Sequence, residues 1–402
     1  MRQFHYPIWL GAVTTTSTPS FVVLFVLETF TRAILVTVVP LQALALLGDA
    51  QGVSIFYFAV STVGLVGALA VPWLVRRLRR RWVLSLAVVY LCASAPLLAS
   101  HSLAGLTAGM GLHMIGAATL SICLNLYVLD HVRPKVLTRF EPLRMLFTGT
   151  AWTIAPVMGV YLGKYGAPWL PYGVSAGFAL ALLGYFWFLR MTENPTLAPN
   201  PMSMATALPA TNPLRFLRRY FAQPRLFLAF VLAVGRAGWW MMFFIYAPIY
   251  AVSSGMTAET GGWIVAAGSA SMFAVTFWGW VGRRYGLRRL LIGGYLAAGL
   301  LTAGVGAAGG TPGLAIAILI IACIAASAID GAGNVPFLRA VRVRERPEMT
   351  TVYSAYRDTA RLTIPGLFAL VLNVFALPAV FVTSGLIMLV MATYARHIPR
   401  RL

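Results

Sequence analysis

The chain has 402 residues, of which 59% are hydrophobic and only 10% charged, with a net charge of +21. A soluble domain needs about a quarter of its residues charged to wet its surface, so this composition excludes an ordinary globular protein. The positive charge does not mark a nucleic-acid partner. Of the 31 basic residues only Lys135 and Lys164 are lysines, and most of the arginines sit in short breaks between apolar segments, as membrane topogenesis requires.

Taken in chain order, apolar runs of bilayer-spanning length predict twelve helices. After a short lead-in from Met1 to Thr18 with no cleavable signal pattern, the first six fall near 20–47, 53–75, 82–99, 103–130, 143–164 and 169–190. A Pro-rich polar break, residues 191–224, follows and ends in a basic stretch suited to an anionic lipid surface. The second six fall near 227–251, 261–282, 288–309, 312–338, 351–375 and 377–395. The expected organisation is an N-terminal six-helix bundle (1–190), a cytoplasmic central loop (191–224) and a C-terminal six-helix bundle (225–402).

Basic residues then set the topology. With Met1 on the cytoplasmic side, 25 of the 31 Lys and Arg fall in cytoplasmic breaks, one (Lys164) falls outside and five lie within spans. One miscounted helix would destroy that bias, so it favours an even number of spans with both termini cytoplasmic, in a bacterial inner membrane.

The two halves repeat. Shifted by about 207 residues, Trp73 to Leu84 (WLVRRLRRRWVL) overlies Trp280 to Leu291 (WVGRRYGLRRLL). Asn125 to Pro134 pairs with Asn334 to Val343, and Arg32-Ala33 pairs with Arg236-Ala237 in the first helix of each half.

Six plus six helices with basic loops after the second helix of each half resemble the major facilitator superfamily. The family's loop signature, Gly-x-Leu-Ala-Asp-Arg-x-Gly-Arg-Arg, is matched here by Pro72 to Arg81 and by Gly279 to Arg288. Only the second copy keeps the glycines, Gly279 and Gly286, and both copies carry Arg (Arg76, Arg283) in place of Asp. The resemblance therefore implies a divergent member, an all-α polytopic protein of two pseudo-symmetric bundles. Arg76, Arg77, Arg283 and Arg284 stand at the positions that gate the cytoplasmic side. In the fifth helix Ala151, Ala155, Gly159 and Gly163 recur every four residues, with Pro156 beside Ala155. That stripe lets helix backbones approach closely, and it resembles the Gly-x-x-x-Gly-Pro-x-x-Gly signature of the family's antiporters, which implies export.

Ionisable residues at bilayer depth are expensive and mark function by default. Glu28 and Arg32 lie one turn apart, in the favourable i,i+4 order. They read either as a self-neutralising structural pair or as a protonatable group coupled to substrate. Arg236 shares a helix face with Trp240, and the Arg32/Arg236 equivalence resembles the anion clamp of the superfamily's phosphate antiporters. Ion pairing of Arg236 with Asp330 or Asp358 is the competing account. Arg357, Asp358 and Arg361 cluster in the eleventh span, where Asp358 reaches Arg361 at i,i+3 and Arg357 lacks a local partner. Five interior arginines against three interior carboxylates point to a negatively charged solute. His113 reads as a packing group or a proton relay, and Asn125 and Asn334 as interhelical glue.

The candidate substrate-binding residues are thus Arg32, Arg236, Trp240, Arg357 and Arg361, and the candidate proton-coupling residues Glu28, Asp330 and Asp358. No ATP-binding loop, metal-ligand spacing or disulfide framework is present: Cys92, Cys123 and Cys323 each lie inside an apolar segment. No cofactor or enzymatic reaction is expected, and the partners are a small-molecule substrate, protons and membrane lipids, with the chain acting as a monomer. The leading reading is proton-coupled export of a small organic solute. Proton-independent anion or phosphate exchange is the alternative, and a transport-inactive scaffold or sensor stands behind both.

Overall fold

Inside a bilayer no water is available to the backbone, so a chain of apolar runs satisfies its own amides by forming helices. The computed structural model describes residues 18–131, 134–192, 220–308, 310–341, 349 and 352–398, and no strand occurs among them. The lead-in, most of the central loop and the arginine-rich segment 342–348 lie outside the described residues.

The first half contains α1 (Thr18–Ala33), α2 (Leu35–Leu47), α3 (Ala50–Arg77), α4 (Arg80–Ala99), α5 (Leu103–His131), α6 (Pro134–Tyr161) and α7 (Leu170–Thr192). The first span is α1 and α2 together, interrupted at Ile34, whose amide still reaches the Phe30 carbonyl at 3.2 Å. The fifth span runs out of α6 into a single π turn, Leu162–Gly166. The second half contains α8 (Pro224–Ser253), α9 (Ala258–Ala270), α10 (Val275–Tyr285), α11 (Leu287–Ala307), α12 (Pro312–Ala332), α13 (Val335–Ala340), α14 (Tyr356–Leu372) and α15 (Pro378–Ala395). A 3₁₀ turn, Ser271–Ala274, joins α9 to α10 within one span.

Eleven helices or helix pairs among the described residues are long and apolar enough to cross a membrane. The twelfth expected span is α14, whose 17 residues are diluted by Arg357, Asp358 and Arg361. All twelve expected spans are therefore helical, and the fold is an all-α, twelve-helix membrane architecture.

Contacts group the chain into two compact units. The first takes Met1–Leu35, Val63–Trp152 and Leu162–Thr211. Its core is built by Leu24, Phe25, Val83, Leu84, Leu91, Leu124, Phe140 and Leu182. Gly116 of α5 lies so close to α4 that a Cβ there would stand 2.9 Å from the Ala87 carbonyl oxygen. Ser175 of α7 donates to the Thr31 carbonyl at 2.7 Å, tying α7 to α1 one residue before Arg32.

The second unit takes Val36–Thr62, Thr153–Tyr161 and Asn212–Leu402. Close backbone approach dominates here as well. A Cβ on Gly385 of α15 would come within 2.6 Å of both the Gly299 carbonyl oxygen and the Ala303 amide of α11. Buried polar tips are answered across helices: Trp239 Nε1 donates to Thr302 Oγ1 at 2.9 Å, and Tyr295 Oη to the Leu232 carbonyl at 2.6 Å. Within this unit the start of α3 is fastened to α8 by a buried Ser54–Tyr246 hydroxyl pair at 2.6 Å. Gln51 Nε2 donates to Asn373 Oδ1 at 3.1 Å just beyond the end of α14.

The basic loops of the two halves turn by different means. After α10, Gly286 takes φ 96°, ψ 136°, a conformation that L side chains avoid, so this copy needs its glycine. After α3, Arg79 is extended at φ −60°, ψ 133°, and no glycine is required. The missing glycine in the first copy thus reflects a differently built turn.

Candidate functional site

The seventh and tenth spans bring together a polar cluster in the second unit. Arg236, on α8, is only 8% exposed. Its Nε lies 3.4 Å from Asp330 Oδ1, on α12. Its Nη1 donates to the Gly333 carbonyl at 3.2 Å and its Nη2 to Tyr356 Oη at 3.3 Å. Trp240, one turn further along α8, donates its indole N–H to Asp330 Oδ2 at 2.7 Å. Both carboxylate oxygens are thus engaged, and the guanidinium is held on three sides.

Local sequence explains the geometry. In Asp330-Gly-Ala-Gly333, α12 ends at Gly333, which takes φ 53°, ψ −135°. That turn is open to glycine and strained for other residues, and the Gly333 carbonyl is the one that accepts from Arg236. Gly331 permits α12 to approach α10: a Cβ there would lie 2.5 Å from Trp278 Cβ.

Tyr356 links this cluster to α14. Its hydroxyl also accepts from Arg357 Nε at 3.1 Å, and both guanidinium groups lie 5.6 Å from its ring centroid. Arg357, which had no partner legible in sequence, is therefore partnered by the residue immediately before it. Asp358 faces Arg361 at 3.6 Å, with both side chains more than a third exposed. This pair stands apart from the Arg236 ion pair in burial and in tightness.

A second cluster lies in the first unit. Glu28 is 3% exposed and meets Arg32 through Nε–Oε1 at 2.8 Å and Nη2–Oε2 at 3.1 Å, a two-point contact on one helix face. The Arg32 side chain keeps 29% of its surface exposed. His113 of α5 is buried, within electrostatic reach of Arg32, and its Nδ1 makes no hydrogen bond among the described residues.

Of the candidate gating residues, Arg77 stacks over Trp73 at 4.4 Å, and Arg283 and Arg284 are exposed in the last turn of α10. The Arg76 side chain lies outside the described residues. Asn125 bonds its own helix, Nδ2 to the Ser121 carbonyl at 2.8 Å, whereas Asn334 accepts from Tyr353 Oη at 3.3 Å. Sequence reading missed Tyr356 and the Gly333 carbonyl. The signal for Tyr356 was present, as a tyrosine directly before Arg357 in a span already rich in charge. A carbonyl aimed by a glycine turn leaves no side-chain signature.

Comparison with known proteins agrees with this architecture. A model of the Major Facilitator Superfamily matches residues 21–329, well over half of the chain. No curated protein matches the sequence significantly. Among solved structures, a POT family transporter in complex with 5-aminolevulinic acid superposes with a TM-score of 0.74 at 12% identity, covering 94% of each chain. A D-xylose–proton symporter gives 0.74 at 13% identity, covering 96% of this chain and 98% of its own. A nucleoside transporter gives 0.73 at 14% identity, covering 95% and 98%. At such identities the likeness is one of fold, and the divergence seen in the basic loops fits it. With its twelve helices and a family match over residues 21–329, the chain belongs to the major facilitator superfamily of membrane transporters.

Proposed function

We propose that this transporter is a proton-coupled exporter of a small organic solute, working as a monomer by alternating access of its two six-helix halves. In this reading the halves are residues 1–190 and 225–402, joined by a cytoplasmic loop, with both termini cytoplasmic in a bacterial inner membrane. The observation that carries it is Asp330, a carboxylate at membrane depth held by Arg236 and Trp240. Such a group is costly unless compensated, and protonation releases its hold on the arginine without a large change in shape. Glu28 with Arg32 supplies a second carboxylate–guanidinium switch of the same kind in the other unit, and Asp358 a third carboxylate near the start of α14.

The solute is proposed to meet the polar faces of Arg32, Arg236, Trp240, Arg357 and Arg361. The exposed surface of Arg32, Arg357 and Arg361 supports a solute with a negative group. Arg76, Arg77, Arg283 and Arg284 act at the cytoplasmic gate in place of the family's acidic latch. Export rests on the small-residue stripe of the fifth span. Next to it, a Cβ on Gly262 would sit 3.5 Å from the Pro156 carbonyl oxygen and 3.4 Å from Val157 Cα, so two backbones pack closely at this point.

Proton-independent anion exchange is the weaker reading, because it needs Arg236 to grip a substrate while Asp330 stays ionised and paired with it at 3.4 Å, whereas proton coupling frees the arginine by neutralising Asp330. The two are separated in proteoliposomes by an uncoupler. Proton-coupled export stops when the pH gradient is collapsed and is lost in Glu28→Gln and Asp330→Asn. Exchange continues without the gradient and is lost in Arg32→Ala and Arg236→Ala.

A further inference from the structure

At one membrane boundary of the second unit, a shallow open groove lies between the start of α8, the short helix α13 and the end of the described chain. Its charged members are Arg225, in the first turn of α8, and Arg339, in the last turn of α13. Its apolar side is formed by the half-buried Leu228 and Pro336, above a floor of buried Leu232 and Ile398. Arg225, Leu228 and Leu232 lie at i, i+3 and i+7, on one face of α8, so the apolar surface runs from the arginine into the span.

The placement at the boundary decides the chemistry. Pro224 begins one span and Ala340 ends another, so both arginines stand at headgroup level, while Leu228 and Leu232 lie one and two turns deeper. Both arginines are exposed, and neither has a carboxylate partner among the described residues. Two exposed guanidinium groups, neither with a carboxylate partner among the described residues, beside a partly apolar groove match an amphiphile with an anionic phosphodiester head. A soluble anion would use the arginines and leave the apolar surface idle. A zwitterionic lipid would gain less from two positive charges.

We infer that the groove bounded by Arg225, Arg339, Leu228 and Leu232 is a binding site for an anionic phospholipid, its phosphate between the two arginines and an acyl chain along α8. The inference needs only that these helices span the bilayer. It is independent of what the protein transports and of any proton coupling.

The test uses the purified full-length protein and native mass spectrometry, with phosphatidylglycerol, phosphatidylcholine and inorganic phosphate as separate probes. Wild type retains phosphatidylglycerol over phosphatidylcholine, and inorganic phosphate does not displace it. Each of Arg225→Gln and Arg339→Gln weakens retention about fivefold, and the pair on the order of 25-fold. Arg225→Lys with Arg339→Lys preserves most of it. Leu228→Trp, at the half-buried apolar side of the groove, weakens phosphatidylglycerol retention and leaves any phosphate signal unchanged. Unaltered retention in the double Gln variant overturns the site, as does equal retention of the two lipids by wild type. Full competition by inorganic phosphate also overturns it, in favour of a soluble-anion site. Thermal unfolding of the Gln and Lys variants at the wild-type temperature shows that the comparison is between folded proteins. Transport by the same variants is scored separately, so a failed lipid test leaves the transport reading intact.

Discussion

Replacing Asp330 by Asn removes one charge while keeping an oxygen able to accept the Trp240 N–H. What is lost is the pairing with Arg236. At 3.4 Å and an effective dielectric near 20, two unit charges attract by about 5 kcal/mol before desolvation is counted. Removing one partner of a buried pair costs about 3–5 kcal/mol, mostly because the other charge is stranded. Two features reduce that figure here. The Asp330 side chain is 24% exposed, so water screens the contact, and Arg236 keeps the Gly333 carbonyl and Tyr356 hydroxyl as acceptors. We therefore expect Asp330→Asn and Arg236→Gln each to destabilise the protein, with a coupling energy of about 2 kcal/mol between them in a double-mutant cycle. Equilibrium unfolding in mixed micelles supplies the four stabilities. A coupling energy below about 0.5 kcal/mol, meaning that the two losses simply add, would refute the assignment of the pair as one energetic unit. Transport by the double variant gives an independent reading: a folded protein that has lost proton-driven flux places the pair in coupling as well as in packing.

Tyr356→Phe removes the hydroxyl that accepts from both Arg236 and Arg357, and we expect a loss of about 1–3 kcal/mol in the same unfolding assay. A neutral outcome would mean that water or backbone replaces it freely. Gly333→Ala forces a side chain into φ 53°, ψ −135° and should cost about 1–3 kcal/mol. The same change at Gly293, where nothing lies within 4 Å and φ is ordinary, should be tolerated. Gly385→Leu should block the approach of α15 to α11 and sharply lower the yield of folded protein, read as the monodisperse fraction after solubilisation. Ser54→Ala with Tyr246→Phe removes the buried hydroxyl pair between α3 and α8. Cysteines introduced beside it should then react faster with a membrane-impermeant thiol reagent. Unchanged rates would show that the pair does not limit access at that contact.

Most of the scaffold was legible in the sequence, because the bilayer imposes length, apolarity and internally satisfied helices at once. Most span boundaries agree within a few residues; in the fifth span α6 already begins at Pro134, and in the eleventh, expected over 351–375, α14 runs from Tyr356 to Leu372. The break at Ile34 and the 3₁₀ turn at Ser271 left no trace, since neither carries Pro or Gly. At the candidate sites, pairs within one helix were readable from spacing: Glu28–Arg32 and Asp358–Arg361 both form. Pairings between helices were harder. Asp330 and Asp358 were equal candidates for Arg236 until the geometry placed Asp330 beside it. The Gly333 carbonyl is backbone chemistry, which spacing rules for side chains cannot see.

The proposed coupling ties flux through this transporter to protons by way of its membrane-embedded carboxylates. It is tested most directly in inverted membrane vesicles carrying an established pH gradient, monitored by a fluorescent weak base, while a panel of anionic, neutral and cationic organic solutes is added. At least one solute, with anionic members strongest, should dissipate the gradient in wild-type vesicles, and this response should be lost in both Glu28→Gln and Asp330→Asn. A transported solute whose flux is indifferent to the gradient, or full dissipation in both variants, would contradict the coupling.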